Sequence, residues 1–250
     1  DVRRYCQKVA TNTLEWALSR IRLEDRELAE LAAACGEAES PGGLVRTFVG
    51  ERCFASDEFA RMIYPGGEPP TANLLRRLRS RLVHWLLLAM GTRAKDQFHF
   101  LETMEELMDI LESPLPERLT RSRALGQRLE QIRRPGQWRV TKRFLQSYIR
   151  EIELDTRAVA RLRAAGTALV VERLSLATGR LPERLKELVP AYLPAVPDDP
   201  FDGQPLRYWQ RGAGFIVYSV GPDLVDDGGK ERGRLSRDEP GWDVTFIVDR

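Results

Sequence analysis

Pro190 divides the chain into two kinds of sequence, and that division constrains the fold more than any other feature of its 250 residues. Ahead of it, apolar side chains recur three and four positions apart, the spacing that paints one face of a helix. Val2, Tyr5 and Val9 begin the pattern, and Val159, Leu162, Leu169 and Leu174 still follow it. Beyond it Pro190, Pro194, Pro197, Pro200 and Pro205 crowd together, each removing a backbone donor and fixing its own φ. Short runs of β-branched and aromatic residues then replace the helical pattern.

Helices are predicted over 2–20, 24–37, 44–54, 57–63, 71–111 and 140–177, with another opening at Pro116. Pro65-Gly66-Gly67 and Ser113-Pro114 break the pattern, and Gly179 supplies a C-terminal stop because glycine adopts the left-handed region freely. Leu-Pro-Glu-Arg-Leu occurs twice, at 115–119 and 181–185, and both copies read as helix starts. After Pro190, strands are expected at 206–210, 215–220 and 244–248, the first two joined as a hairpin through Arg211-Gly212-Ala213-Gly214. The fold class is α+β. A helical domain over 1–139 is expected to precede a second domain over 140–250, in which a long helix packs on a small antiparallel sheet. Three short strands need that helix, because they have a face to bury and little else to bury it against.

The 39 basic and 37 acidic side chains leave a formal charge of +2, which argues against a strongly basic nucleic-acid binder. Only five of the basic residues are lysine, so clusters such as Arg76, Arg77, Arg79 and Arg81, or Arg133, Arg134 and Arg139, reflect an arginine-rich composition spread over solvated faces. No nucleic-acid partner is expected. The longest apolar run, Leu82 to Met90, is about half the ~20 residues a membrane span needs. The sequence opens at Asp1 within a helical pattern and is expected to be a piece of a longer polypeptide. Cys6, Cys35 and Cys53 have neither CxxC nor zinc spacing; each reads as a small buried hydrophobe, with at most one disulfide. His84 and His99 lie about 22 Å apart along a continuous helix and cannot share a task. No phosphate loop, nucleophile elbow or catalytic constellation is present, and no small-molecule substrate is identified.

The segment 178–227 carries the most information. A helix ending in Gly179-Arg180-Leu181-Pro182, then Pro197-x-Asp199-Pro200-Phe201, Pro205-Leu206-Arg207-Tyr208, a hairpin, and Tyr218-Ser219-Val220-Gly221-Pro222-Asp223 follow in order. Together they resemble the globular head of the major pseudopilin of type II secretion, over about 155–250. The helical region ahead of this head is similar to that of bacterial extracytoplasmic proteins of unknown function. The resemblance implies a calcium site in the loop after the hairpin. Its ligands would be the Val220 carbonyl and the Asp223 carboxylate, with Asp226, Asp227 and Asp243 supplying the later aspartates. Such a loop offers the oxygen donors calcium prefers, although its spacing is not that of an EF-hand. Read without the resemblance, the same aspartates are turn formers that satisfy their own backbone. Pro197 to Gly203 reads as structural, its aspartates accepting local hydrogen bonds around a buried Phe201.

The resemblance thus implies a non-enzymatic, extracytoplasmic protein with protein partners and a structural or secretion-associated role, held at the membrane by an anchor outside this sequence. Two other readings stand beside it. The helical domain is an interaction module capped by the head, or an enzyme uses carboxylates in a cleft between the two parts.

Overall fold

The computed structural model describes residues 2–39, 44–51, 92–132, 139–230 and 243–250. The helix expected over 57–63, the first half of that over 71–111, Cys53, His84 and the arginines at 76–81, 133 and 134 lie outside them. The architecture is α+β, as the sequence predicts. Helices α1 (Val2–Leu18), α2 (Asp25–Ala38), α3 (44–51), α4 (Thr92–Glu112), α5 (Leu115–Gln131) and α6 (Arg139–Thr178) precede a 3₁₀ turn (Leu185–Leu188). Strands β1 (Arg207–Arg211), β2 (Gly214–Ser219) and β3 (Val244–Val248) form one antiparallel sheet in the order β1-β2-β3.

The local grammar accounts for the boundaries. Glu24 and Glu27 form a reciprocal capping box at the start of α2, the Glu24 amide donating to the Glu27 carboxylate at 2.9 Å. α6 runs without a break until Gly179, whose φ of 73° turns the chain out while its amide still reaches the Ser175 carbonyl at 2.8 Å. The two Leu-Pro-Glu-Arg-Leu copies diverge. The first opens the four-turn α5, whereas the second yields only the four-residue 3₁₀ turn. There Glu187 gathers the amides of Glu183 and Arg184 at 2.7 and 3.2 Å, and Pro190 leaves no room for a longer helix. The hairpin turns on two residues, Gly212 and Ala213, so β2 begins one residue earlier than expected.

Two compact units result, residues 1–40 with 153–250, and residues 41–152. This division differs from the expected cut at 139/140. The first two helices belong with the sheet, and the interposed unit takes the start of α6. In that interposed unit Phe48, Phe100, Met104, Leu107, Leu125, Leu145, Tyr148 and Ile152 form the core, with Phe48 and Tyr148 rings 5.1 Å apart. Buried Asp96 ties α4 to α6 by accepting the Thr141 hydroxyl at 2.7 Å. His99 lies 3.2 Å from Glu102 on the same helix.

In the sheet-bearing unit, Ala164, Ala165, Ala168, Leu169 and Val171 of α6 meet Phe215, Val217, Phe246 and Val248 of the sheet, together with Leu18 of α1 and Leu28 of α2. Fully burying each large side chain here contributes about 1.5–3 kcal/mol. α2 comes close to α6 at Gly166, where an added Cβ would lie 3.4 Å from the Cβ of Cys35. Cys35 is therefore half-buried packing, as expected, and it is free; Cys6 is free but exposed, contrary to the expectation. α1 runs along the outer edge of β3. The Ile247 amide donates to Glu15 at 2.6 Å and the Asp249 amide to Ser19 at 3.2 Å. Strand donors that would otherwise face water, or a foreign strand, are thereby satisfied.

Arginines of α6 fasten these helices. Arg161 donates to Thr11, Asn12 and Glu15, Arg163 pairs with Glu39, and Arg173 pairs with Asp25 at 2.8 Å. The Arg173 hydrogen bond holds the Asp25 carboxyl below its ordinary range. Leu28 is 1% exposed in the sheet-side core. Leu28→Ala is expected to cost about 2–5 kcal/mol and to lower hydrogen-exchange protection of the β2 amides. Unchanged protection there would mean that the sheet folds independently of the first forty residues.

Candidate functional site

The turn that enters the sheet and the loop that leaves it meet around one buried carboxylate. Asp199 is wholly buried and accepts four donors: the amides of Phe201 and Val220, each at 2.9 Å, the Ser219 hydroxyl at 2.8 Å, and Arg207 at 2.6 Å. Burial pushes its carboxyl up, and the amide and hydroxyl donors pull against that. Arg207 also grips Asp202 through its second terminal nitrogen and lies 3.8 Å from Asp226. Asp202 is shielded from water, which alone would raise its carboxyl, yet Arg207 holds it below the ordinary range. One guanidinium on β1 thus joins the 197–206 turn to the start of the aspartate loop. Phe201 is 3% exposed, and the aspartates do accept local amides, as the structural reading of 197–203 holds.

The loop after β2 closes over the second face of the sheet. A Cβ at Gly229 would come within 2.8 Å of Ile216 Cδ1 and 3.3 Å of Tyr218 Cδ1, so only glycine allows this approach. Its φ of 73° lies in the left-handed region as well. Leu224 shares that region at φ 62° without glycine's freedom, and its side chain and that of Val225 face solvent. Trp209 donates to Tyr218 at 2.8 Å, and the Tyr218 hydroxyl donates to Asp226 at 3.1 Å. Burial pushes that hydroxyl up to about 12, so it remains a donor throughout the ordinary pH range.

The five residues of the expected calcium site have unequal surroundings. The Val220 amide is given to Asp199. Asp223 is exposed, with Oδ1 accepting the Val225 amide at 3.4 Å. Asp226 Oδ1 accepts both Tyr218 and the Gly228 amide, while Oδ2 faces Arg207. Asp243 is 94% withdrawn from solvent by its 6% exposure; Oδ2 accepts the Gly229 amide at 2.6 Å, and Oδ1 has no hydrogen-bond partner among the described residues. Burial pushes the Asp243 carboxyl up, the Gly229 and Asp227 amides pull against that, and the charges of Asp226 and Asp227 add to the rise. Asp226, Asp227 and Asp243 therefore come within electrostatic reach of one another, whereas Asp223 is turned outward. Among the described residues no group of three or more histidine, cysteine, aspartate or glutamate side chains is arranged to hold a metal ion.

Sequence reasoning passed over Arg207 as a hub. The available signal was its spacing, eight residues after Asp199 and five after Asp202, across a proline-bounded turn. Comparison with protein-family models, with curated proteins and with solved structures finds no match.

Removing the Asp199 carboxylate leaves Arg207, Ser219 and two buried amides short of an acceptor. Asp199→Ala is expected to destabilise the protein by about 3–5 kcal/mol in urea denaturation. Asp199→Asn, which keeps the shape and one acceptor oxygen, should cost clearly less; equal losses would show that the negative charge facing Arg207, and not the remaining acceptor, holds the joint.

Proposed function

We propose that this chain is a non-enzymatic, extracytoplasmic scaffold whose sheet-bearing unit is a pseudopilin-like head stabilised by calcium, serving a structural or secretion-associated role with protein partners. The observation that carries the reading is Asp243, a carboxylate 6% exposed beside Asp226 and Asp227, whose Oδ1 has no hydrogen-bond partner among the described residues. A buried carboxylate oxygen without a donor is costly, and a cation relieves that cost. Calcium suits the place because it accepts six to eight oxygens at roughly 2.3–2.6 Å from carboxylates, carbonyls and water. Asp243 and Asp227 fit it best as carboxylate donors, with the Val220 carbonyl. Asp226 already has Tyr218, Gly228 and Arg207 around it. Exposed Asp223 reaches such an ion only if its turn rearranges. Few carboxylates on a loop make a weak site, and weak sites of about 10⁻⁴–10⁻³ M belong to calcium-rich compartments outside the cytoplasm. The order of long helix, Gly179-Arg180 turn, hairpin and final strand supports the pseudopilin-like assignment.

Thermal unfolding in calcium and in chelator tests the site. Free calcium at about 100 times its dissociation constant adds about 2.7 kcal/mol to the native state and must raise the midpoint. Asp243→Asn should abolish that rise with little change of the midpoint in chelator, because the amide oxygen still accepts the Gly229 amide while the buried charge is removed. A midpoint indifferent to calcium and chelator in the unaltered protein sinks the calcium reading.

A further inference from the structure

The sheet has two edges, and among the described residues only one of them is covered. Register says which backbone groups each edge presents. The two-residue turn at Gly212 and Ala213 makes Arg211 and Gly214 a hydrogen-bonded pair, so Trp209 with Ile216 and Arg207 with Tyr218 are such pairs too. Tyr208 and Gln210 therefore turn their amides and carbonyls away from β2. The same count turns Ile247 and Asp249 outward on the far side of β3, and theirs are the amides that α1 satisfies through Glu15 and Ser19. Beside β1, no hydrogen bond from the described residues reaches the backbone of Tyr208 or Gln210 from outside the sheet. Trp209 between them is 57% exposed.

A groove of about 750 Å³ opens where β1 begins. It is lined by Leu206 and Tyr208 on the strand side, and by Leu185, Val189, Pro194 and Val196 of the segment before it. Glu183, Arg184 and Lys186 complete its lining; both cations are exposed, and neither is in an ion pair among the described residues.

These features select a guest. A row of unanswered donors and acceptors at strand spacing takes an extended backbone, which continues the ladder. The guest residues opposite Tyr208 and Gln210 share their face of the sheet. That face is the one packed on the core, since the Tyr208 and Phe215 rings lie 5.9 Å apart, so those residues meet the groove. Arg184 and Lys186 favour acids among them. Through its own β1 a second copy brings only Arg-Tyr-Trp-Gln-Arg to this edge, with no acid to offer.

We propose that β1 takes an extended, acidic segment of a partner protein as a fourth strand, with an apolar side chain of that segment in the groove beside Tyr208. The inference gives a chemistry to the protein partners proposed above, but it rests on β1 and its groove; peptide binding can fail while calcium still raises the thermal midpoint, and the reverse.

Calorimetric titration of the 250-residue chain with acetyl-Thr-Glu-Thr-Leu-Thr-Glu-Thr-amide tests it. This probe sets Glu, Leu and Glu on one face of a strand. Binding is expected, with slowed hydrogen exchange at the Tyr208 and Gln210 amides. The same peptide with lysine for both glutamates should bind roughly tenfold more weakly. A third peptide, methylated on the Leu and Glu nitrogens, keeps the side chains but cannot donate to the edge and should not bind. Gln210→Pro removes an outward amide, a place where an edge strand tolerates proline, and should weaken binding roughly tenfold or more. Gln210→Ala keeps that amide and should keep binding. Both variants lose the side-chain bond to the Pro182 carbonyl, so equal thermal midpoints for the two would show that proline leaves the sheet intact. No binding of the glutamate peptide overturns the proposal, as does equal binding of the methylated or the lysine peptide. Sedimentation showing a dimer that Gln210→Pro dissolves would assign the edge to a second copy and overturn it as well.

Discussion

β2 is buried along its whole length, and the rest of the sheet-bearing unit exists to keep it so. A three-stranded sheet has two faces and two edges and lacks the strands to cover any of them by itself. α6 takes one face with a run of alanines that lets the helix approach closely and two larger residues, Leu169 and Val171, that fill the gaps. The loop at Gly229 takes the other face, and α1 takes the edge of β3. Each cover comes from a different part of the chain, so the unit is discontinuous in sequence although its core is continuous.

The polar chemistry serves the same end. Asp199 gathers the amides of the turn and of the strand exit, and Arg207 balances it while reaching Asp202 and Asp226. A buried carboxylate with four donors is a rigid joint, since losing any one partner strands the others. Asp243 contrasts with it, with comparable burial but one oxygen that has no partner among the described residues. Two aspartates close to the same strands thus differ in their surroundings: Asp199 is answered on both oxygens, and Asp243 on one among the described residues.

Much of this was legible in the sequence. The helical stripe of 140–177, the glycine stop at 179 and the three strands follow from period and punctuation, because local spacing decides them. The docking of α1 and α2 onto the sheet was not legible. Their apolar positions, Leu18 and Leu28, say that a face is buried but not against what, and contacts between residues over two hundred apart leave no local trace. Arg207 was equally hidden, since an arginine in an arginine-rich chain looks like surface until its two aspartates are placed around it. The five positions of the expected calcium site came from the resemblance, because residue type alone reads the same aspartates as turn formers. Only packing distinguishes buried Asp243 from outward-facing Asp223.

The bond from Ile247 to Glu15 spans 232 residues of chain. During synthesis α1 must therefore wait, at 5–20 residues per second, on the order of ten to fifty seconds before the strand edge it covers has been made. Over that interval the side of α1 that meets β3 waits for its partner, while the interposed unit draws its contacts from 41–152 alone. The middle of the chain can therefore close on itself before the first helix and the last strand meet.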